Sequence, residues 1–181
     1  YDLTSYREIF GFPIVEYYRR AGFDFAKDSF EDLAESYMAD YIPASAACPL
    51  MEGAVEALAA FRAAGMRQVV LSASPVTTLQ QQVTERGVLL YFDRLLGLGD
   101  IYAKSKVEVG LRYLAESGFD RRRAVMIGDS VHDFEVAQAL GVHCVLQAAG
   151  HQPAAVLRAT GAPVADHVRQ AAAIILKEDV L

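Results

Sequence analysis

The sequence predicts an α/β fold: a Rossmann-like parallel sheet core preceded by a small α-helical segment. Three observations carry this. From Glu52 onward, short apolar runs alternate with amphipathic stretches, the order expected when parallel strands are joined by crossover helices. Before that point there is no strand-like run, only helical periodicity and a crowd of aromatics. Residues able to do chemistry recur where the apolar runs stop, which is where open α/β sheets bind ligands. The resulting division is 1–50 for the helical part and 51–181 for the sheet core, with no internal repeat.

The helical part contains Tyr6, Phe10, Phe12, Tyr17, Tyr18, Phe23, Phe25, Phe30, Tyr37 and Tyr41. Gly11-Phe12-Pro13 precedes a helix over Ile14–Arg20, and Gly22 ends it. Ser29 is placed to cap a second helix from Phe30 to about Tyr41, with Asp28, Glu31 and Asp32 at its positive end. Pro43 and Pro49 bracket an expected linker, Ala44 to Cys48. The first reading of the aromatics is core; lining a substrate pocket is the alternative.

In the core, Val55, Leu58, Ala59 and Arg62 share one helix face, and Gly65 stops that helix. Arg67 to Ser72 reads as a buried strand. Ser74 is expected as the N-cap of the next helix, with Pro75 at its first position and Gly87 after its end. Leu95 to Gly99 is a short strand. Lys106–Ser117 is a helix, with Val107, Leu111 and Leu114 on one stripe. Ala124 to Ile127 is a strand whose helix runs from Phe134 to Leu140 before Gly141. Val142 to Leu146 is a strand, Pro153 to about Thr160 a short helix, Val164-Ala165 an edge strand and Val168–Lys177 the last helix.

Composition narrows the function. The chain has 181 residues, 53% of them hydrophobic, enough for one sizeable core plus a small appended part. A net charge of −6 argues against a broad nucleic-acid-binding face, so a phosphorylated ligand needs a local positive site. Cys48 and Cys144 offer neither a disulfide framework nor a zinc cluster, which fits a reducing, cytoplasmic setting. No apolar run reaches membrane-spanning length.

Three strand ends carry polar groups. At Ser72-Ala73-Ser74, a hydroxyl and the free amides of a helix start can hold phosphate oxygens; alternatively Ser74 only caps its helix. At Lys104-Ser105-Lys106, Ser105 and Glu108 form a capping-box pattern that puts Lys106 first in its helix. A cation there faces the positive end of the helix dipole, a cost that a nearby anion would relieve. Lys104 competes for the same role. At Gly128-Asp129-Ser130-Val131-His132-Asp133, two carboxylates four apart suit a hard cation such as Mg2+, although each alone also suits a helix cap. Hydroxyl, lysine and carboxylate pair together form the kit for phosphoryl transfer.

The order Leu71-Ser72-Ala73-Ser74, Lys106, then Gly128 to Asp133 resembles the haloacid dehalogenase superfamily, in its phosphoglycolate-phosphatase-like branch. The helical half resembles that family's inserted cap. The resemblance implies a magnesium-dependent phosphatase acting on a small phosphorylated metabolite through an aspartyl-phosphate. It makes Ser72, Ala73 and Ser74 the phosphate-binding turn, Lys106 the catalytic and phosphate-binding lysine, and Asp129 with Asp133 the metal carboxylates. The family's nucleophile lies in an Asp-x-Asp motif after its first strand, and this sequence has none; Asp24 and Asp28 have the wrong spacing and no strand before them. The expectation is therefore that roughly 20–40 residues, about one strand and one helix, precede Tyr1 in the native protein. The resemblance makes that strand central, flanked by the strands ending at Ser72 and Asp129, and without it two strand edges would be exposed. The alternative is a catalytically inactive binding or interaction module of the same fold.

Other classes fit poorly. Gly97-Leu98-Gly99 lacks the third glycine of a dinucleotide fingerprint, and no Gly-x-Ser-x-Gly elbow occurs. His132, His143, His151 and His167 show no ligand spacing.

Overall fold

The structure is a computed structural model that describes residues 1–99 and 105–177. Three helices come first: α1 (Leu3–Ile9), α2 (Ile14–Arg20) and α3 (Phe30–Ala47). The core follows in the order α4 (Ala54–Ala63), β1 (Val69–Pro75), α5 (Val76–Glu85), β2 (Arg94–Leu98), α6 (Lys106–Ser117), β3 (Val125–Gly128), α7 (Val131–Leu140), β4 (His143–Gln147), α8 (Ala154–Arg158), β5 (Val164–Ala165) and α9 (Val168–Lys177). Among the described residues the sheet is in two pieces, β1–β2 and β3–β4–β5, with every pairing parallel.

Among the described residues β1 and β3 each pair on one side only. The two pieces are held together by their helices, α4 packing on α9 and α6 on α7. Gly110 shows how close the second contact is: a Cβ there would lie 2.8 Å from a Leu140 methyl. The main core cluster joins Ala57 and Phe61 of α4 to Val145 of β4, Ala165 of β5 and Ala171, Ala172 and Ile175 of α9. Leu146, Leu157, Val136 and Val145 are fully buried, each worth roughly 1.5–3 kcal/mol.

Local chemistry sets most boundaries. The Ser29 and Ser105 hydroxyls accept the Asp32 and Glu108 amides, each at 3.2 Å, and so start α3 and α6. Three expectations give way. The segment Ala44 to Cys48 is not a linker: α3 runs through Pro43 to Ala47. The proline removes one helical donor, but Arg86 gathers the orphan carbonyls at the helix end. It donates to Ser45 O at 2.7 Å and to Cys48 O at 2.9 Å. Ser74 caps nothing, because β1 runs on to Pro75 and α5 begins at Val76 without a side-chain cap. The aromatics of the helical part are not a buried core. Tyr18 alone among them is buried, the others being half-buried or exposed.

Candidate active site

β3 ends at Gly128, and the chain turns sharply into α7. Ser130, rather than Asp129, is the N-cap, its hydroxyl accepting the Asp133 amide at 3.3 Å. Asp133 is thereby folded back under the strand end. A Cβ on Gly128 would lie 2.2 Å from the Asp133 Cβ, so only glycine lets the carboxylate sit there. Both Asp133 oxygens are engaged. Oδ1 receives Lys106 Nζ at 2.6 Å, and Oδ2 receives the Ser130 hydroxyl at 2.8 Å and the Asp129 amide at 3.1 Å.

The Lys106–Asp133 pair is shielded, with the two side chains 16% and 10% exposed. Burial alone would raise the Asp133 pKa. The Lys106 charge, together with the hydrogen bonds from Lys106, Ser130 and the Asp129 amide, outweighs it and holds the carboxyl below its ordinary value. The anion that relieves Lys106 at the start of α6 is thus Asp133 itself. Its negative charge also reaches the Cys144 thiol, which burial first, and Asp133 second, push up to about 12.

Asp129 is half-buried and faces the loop after β4. Its Oδ2 accepts the His151 amide at 3.0 Å, and a Cβ on Gly150 would lie 1.8 Å from the same oxygen. Among the described residues no hydrogen bond reaches its Oδ1. Hard carboxylate oxygen suits magnesium, which takes one or two protein carboxylates and completes its shell with water and phosphate. Asp129 therefore fits such an ion, although no group of three or more His, Cys, Asp or Glu gathers among the described residues.

The structure brings Lys106, Asp129 and Asp133 into one hydrogen-bonded set. Ser72 and Ser74 lie at the end of β1 and bond each other, the Ser74 amide donating to the Ser72 hydroxyl at 3.1 Å, while Ala73 is exposed between them. Lys104 lies outside the described residues. A cavity of about 530 Å³ borders β2 and α6 on the outer side, beside Arg67, Arg94 and Tyr113. Ser72, Lys106, Asp129 and Asp133 do not line it, so the candidate site is the row of strand ends and not this hollow.

Sequence reasoning gave no role of their own to Ser130 and His151 and passed over Gly150 and Gln152. Gln152 is buried, and its Oε1 accepts the Val131 amide at 2.6 Å. The available signal was that β4, like β3, ends at a turn carrying Gly and polar residues.

Comparison with known proteins bears on the family and the fold. A family model described as haloacid dehalogenase-like hydrolase matches residues 1–147, and the chain belongs to that family. It is similar to a Mycobacterium tuberculosis protein named tyrosine-protein kinase PtkA, with 30% identity over 168 residues, 92% of this chain and 56% of PtkA. The chain thus spans little more than half the length of that curated relative. The solved structure of PtkA aligns with a TM-score of 0.75 and 28% identity over 97% of this chain and 81% of that one. A haloacid dehalogenase-like hydrolase from Streptococcus pneumoniae aligns with a TM-score of 0.81 at 18% identity, covering 96% of this chain and 81% of its own. A Dickeya dadantii protein named "Probable phosphatase IndB" is 28% identical over 94 residues, 51% of this chain and 41% of IndB. Among the described residues no helix is long and apolar enough to cross a membrane.

Proposed function

We propose that the protein is a magnesium-dependent phosphatase of small phosphomonoesters, with residues 1–50 acting as a helical cap over the core 51–181. The reading rests on one observation: Lys106 lies 2.6 Å from Asp133 in a shielded pair, one hydrogen bond from Asp129 at a strand end. In this proposal a parallel strand bearing the Asp-x-Asp nucleophile would pair with the edges of β1 and β3 that are unpaired among the described residues.

Asp129 would hold the magnesium, which when bound neutralises charge on the phosphoryl oxygens. Asp133 would hold the Lys106 ammonium at the strand ends, where it would face the nucleophile and the phosphoryl group. The Ser72 hydroxyl and the turn through Ala73 and Ser74 would take the remaining phosphate oxygens. The helical cap would shield the site from bulk water and select the substrate.

The likeness to PtkA favours a second reading, in which the phosphoryl group passes to a tyrosine hydroxyl instead of to water. The test is hydrolysis of p-nitrophenyl phosphate by the full-length protein with magnesium, run beside ATP with a tyrosine-containing peptide. Phosphate release that disappears with chelator and in Asp129→Asn supports the phosphatase. Phosphotyrosine formation with the same dependence supports the second reading. Turnover indifferent to both chelator and Asp129→Asn refutes the site. No turnover in either assay favours a binding module.

A further inference from the structure

The loop after β4 is gripped from two sides. On one side stands α1, seven residues long and without a single buried one. A helix that short has little stability of its own, so its contacts decide where it sits. Arg7 Nε donates to Gly150 O at 2.8 Å and Arg7 Nη2 donates to Ala149 O at 2.8 Å. The Tyr6 hydroxyl bonds His151 Nδ1 at 2.6 Å, and Phe10 stacks on the His151 ring with centroids 4.6 Å apart. On the other side stands Asp129, receiving the His151 amide.

The Gly150 carbonyl and the His151 amide are the two ends of one peptide group. That group is planar and stiff, so the guanidinium that fixes its oxygen also fixes the direction of its N–H. A charged donor on the oxygen polarises the same group and strengthens its donation to the carboxylate. Gly150 leaves room for the carboxylate to lie flat against this peptide, as the 1.8 Å clash of an added Cβ shows.

We propose that Arg7, assisted by Tyr6, is a positioning residue for Asp129: docking of α1 sets the carboxylate through the Gly150–His151 peptide, so that seating of the amino-terminal helices and divalent-cation binding at Asp129 are coupled. The inference rests on the metal role proposed for Asp129. Coupling is reciprocal. A cation at Asp129 therefore tightens α1, and a loosened α1 weakens the cation. Partners that orient a metal ligand are commonly worth 10-fold or more in affinity.

The experiment uses the full-length protein and Mn2+ as the probe, with affinity read from the free-ion resonance signal. Amide exchange over residues 3–10 is followed with and without Mg2+. The variants are Arg7→Met, Tyr6→Phe and Asp129→Asn, with Tyr37→Phe on the exposed part of α3 as control. The expected result is about a 10-fold loss of Mn2+ affinity in Arg7→Met, a smaller loss in Tyr6→Phe and none in Tyr37→Phe. Mg2+ should slow exchange in α1 of the wild type but not of Arg7→Met or Asp129→Asn. Unchanged Mn2+ affinity in both Arg7→Met and Tyr6→Phe, with α1 exchange indifferent to Mg2+, would overturn the coupling and leave the metal role of Asp129 standing. Equal Mn2+ binding by wild type and Asp129→Asn would remove that role, and the coupling with it.

Discussion

Replacing Lys106 by Met tests the centre of the site as a matter of stability. The substitution keeps the stem length, deletes the ammonium and leaves the Asp133 carboxylate with two donors, the Ser130 hydroxyl and the Asp129 amide. Removing one member of a buried ion pair costs about 3–5 kcal/mol. Because the side chains keep 16% and 10% of their exposure and two hydrogen bonds survive, we expect about 2–3 kcal/mol at pH 7. For a chain of 181 residues that is a loss of roughly 4–12 °C in melting temperature. The pH dependence carries a sign. In the wild type the Asp133 carboxyl titrates below its ordinary value, so its contribution is complete above about pH 4 and is lost as the pH falls through the lowered pKa. In Lys106→Met the lysine charge no longer offsets burial, the carboxyl pKa rises, and protonation relieves the variant. The gap between the two proteins should therefore be widest near neutrality and narrow below about pH 4. The assay is urea unfolding of the metal-free full-length protein at pH 7, 5 and 3.5, with Asp133→Asn and the double variant closing a cycle. A loss below about 0.5 kcal/mol at pH 7, the range of an exposed pair, or a loss that does not change with pH, would refute the reasoning.

Two other results follow from the structure. Arg86→Ala should expose the carbonyls of Ser45 and Cys48 at the end of α3. This should cost about 1–2 kcal/mol and speed amide exchange near the end of α3 in a hydrogen-exchange experiment; unchanged exchange there would show that the helix passes Pro43 without help. The two thiols should separate sharply. Cys48 is exposed, whereas Cys144 is half-buried with its pKa pushed up to about 12, so iodoacetamide at pH 8 should label Cys48 and reach Cys144 only in denaturant. Equal labelling rates would contradict the burial of β4.

What the sequence by itself determined lies within a few residues of its cause. Ile14–Arg20, Lys106–Ser117 and Val168–Lys177 begin and end where pattern and punctuation put them. Caps act over three or four positions, as Ser105 does on Glu108, and Gly118 supplies the positive φ of +67° that ends α6. The alternation of strand and helix likewise made the parallel sheet legible before any contact was known. The misreadings were local contests too, one of them at a helix end met by a contact from afar. Pro43 looked like a helix break, yet α3 runs through it to Ala47, and Arg86, 41 residues from Ser45, takes up carbonyls at its end. Ser74 looked like a cap, but its amide turned to Ser72 as β1 ran on.

Only the tertiary structure decided which nominated residues work together. Lys106 and Asp133 are 27 residues apart, and nothing in their spacing says that the lysine answers the carboxylate of the next strand instead of an outside anion. Arg7 and Gly150 are 143 apart, and neither carried a motif. Strand order and crossover packing bring such ends side by side, and a hydrogen bond needs its partners within about 3 Å. Sequence separation does not encode that distance; the stacking of α1, α6 and α7 around the ends of β3 and β4 does.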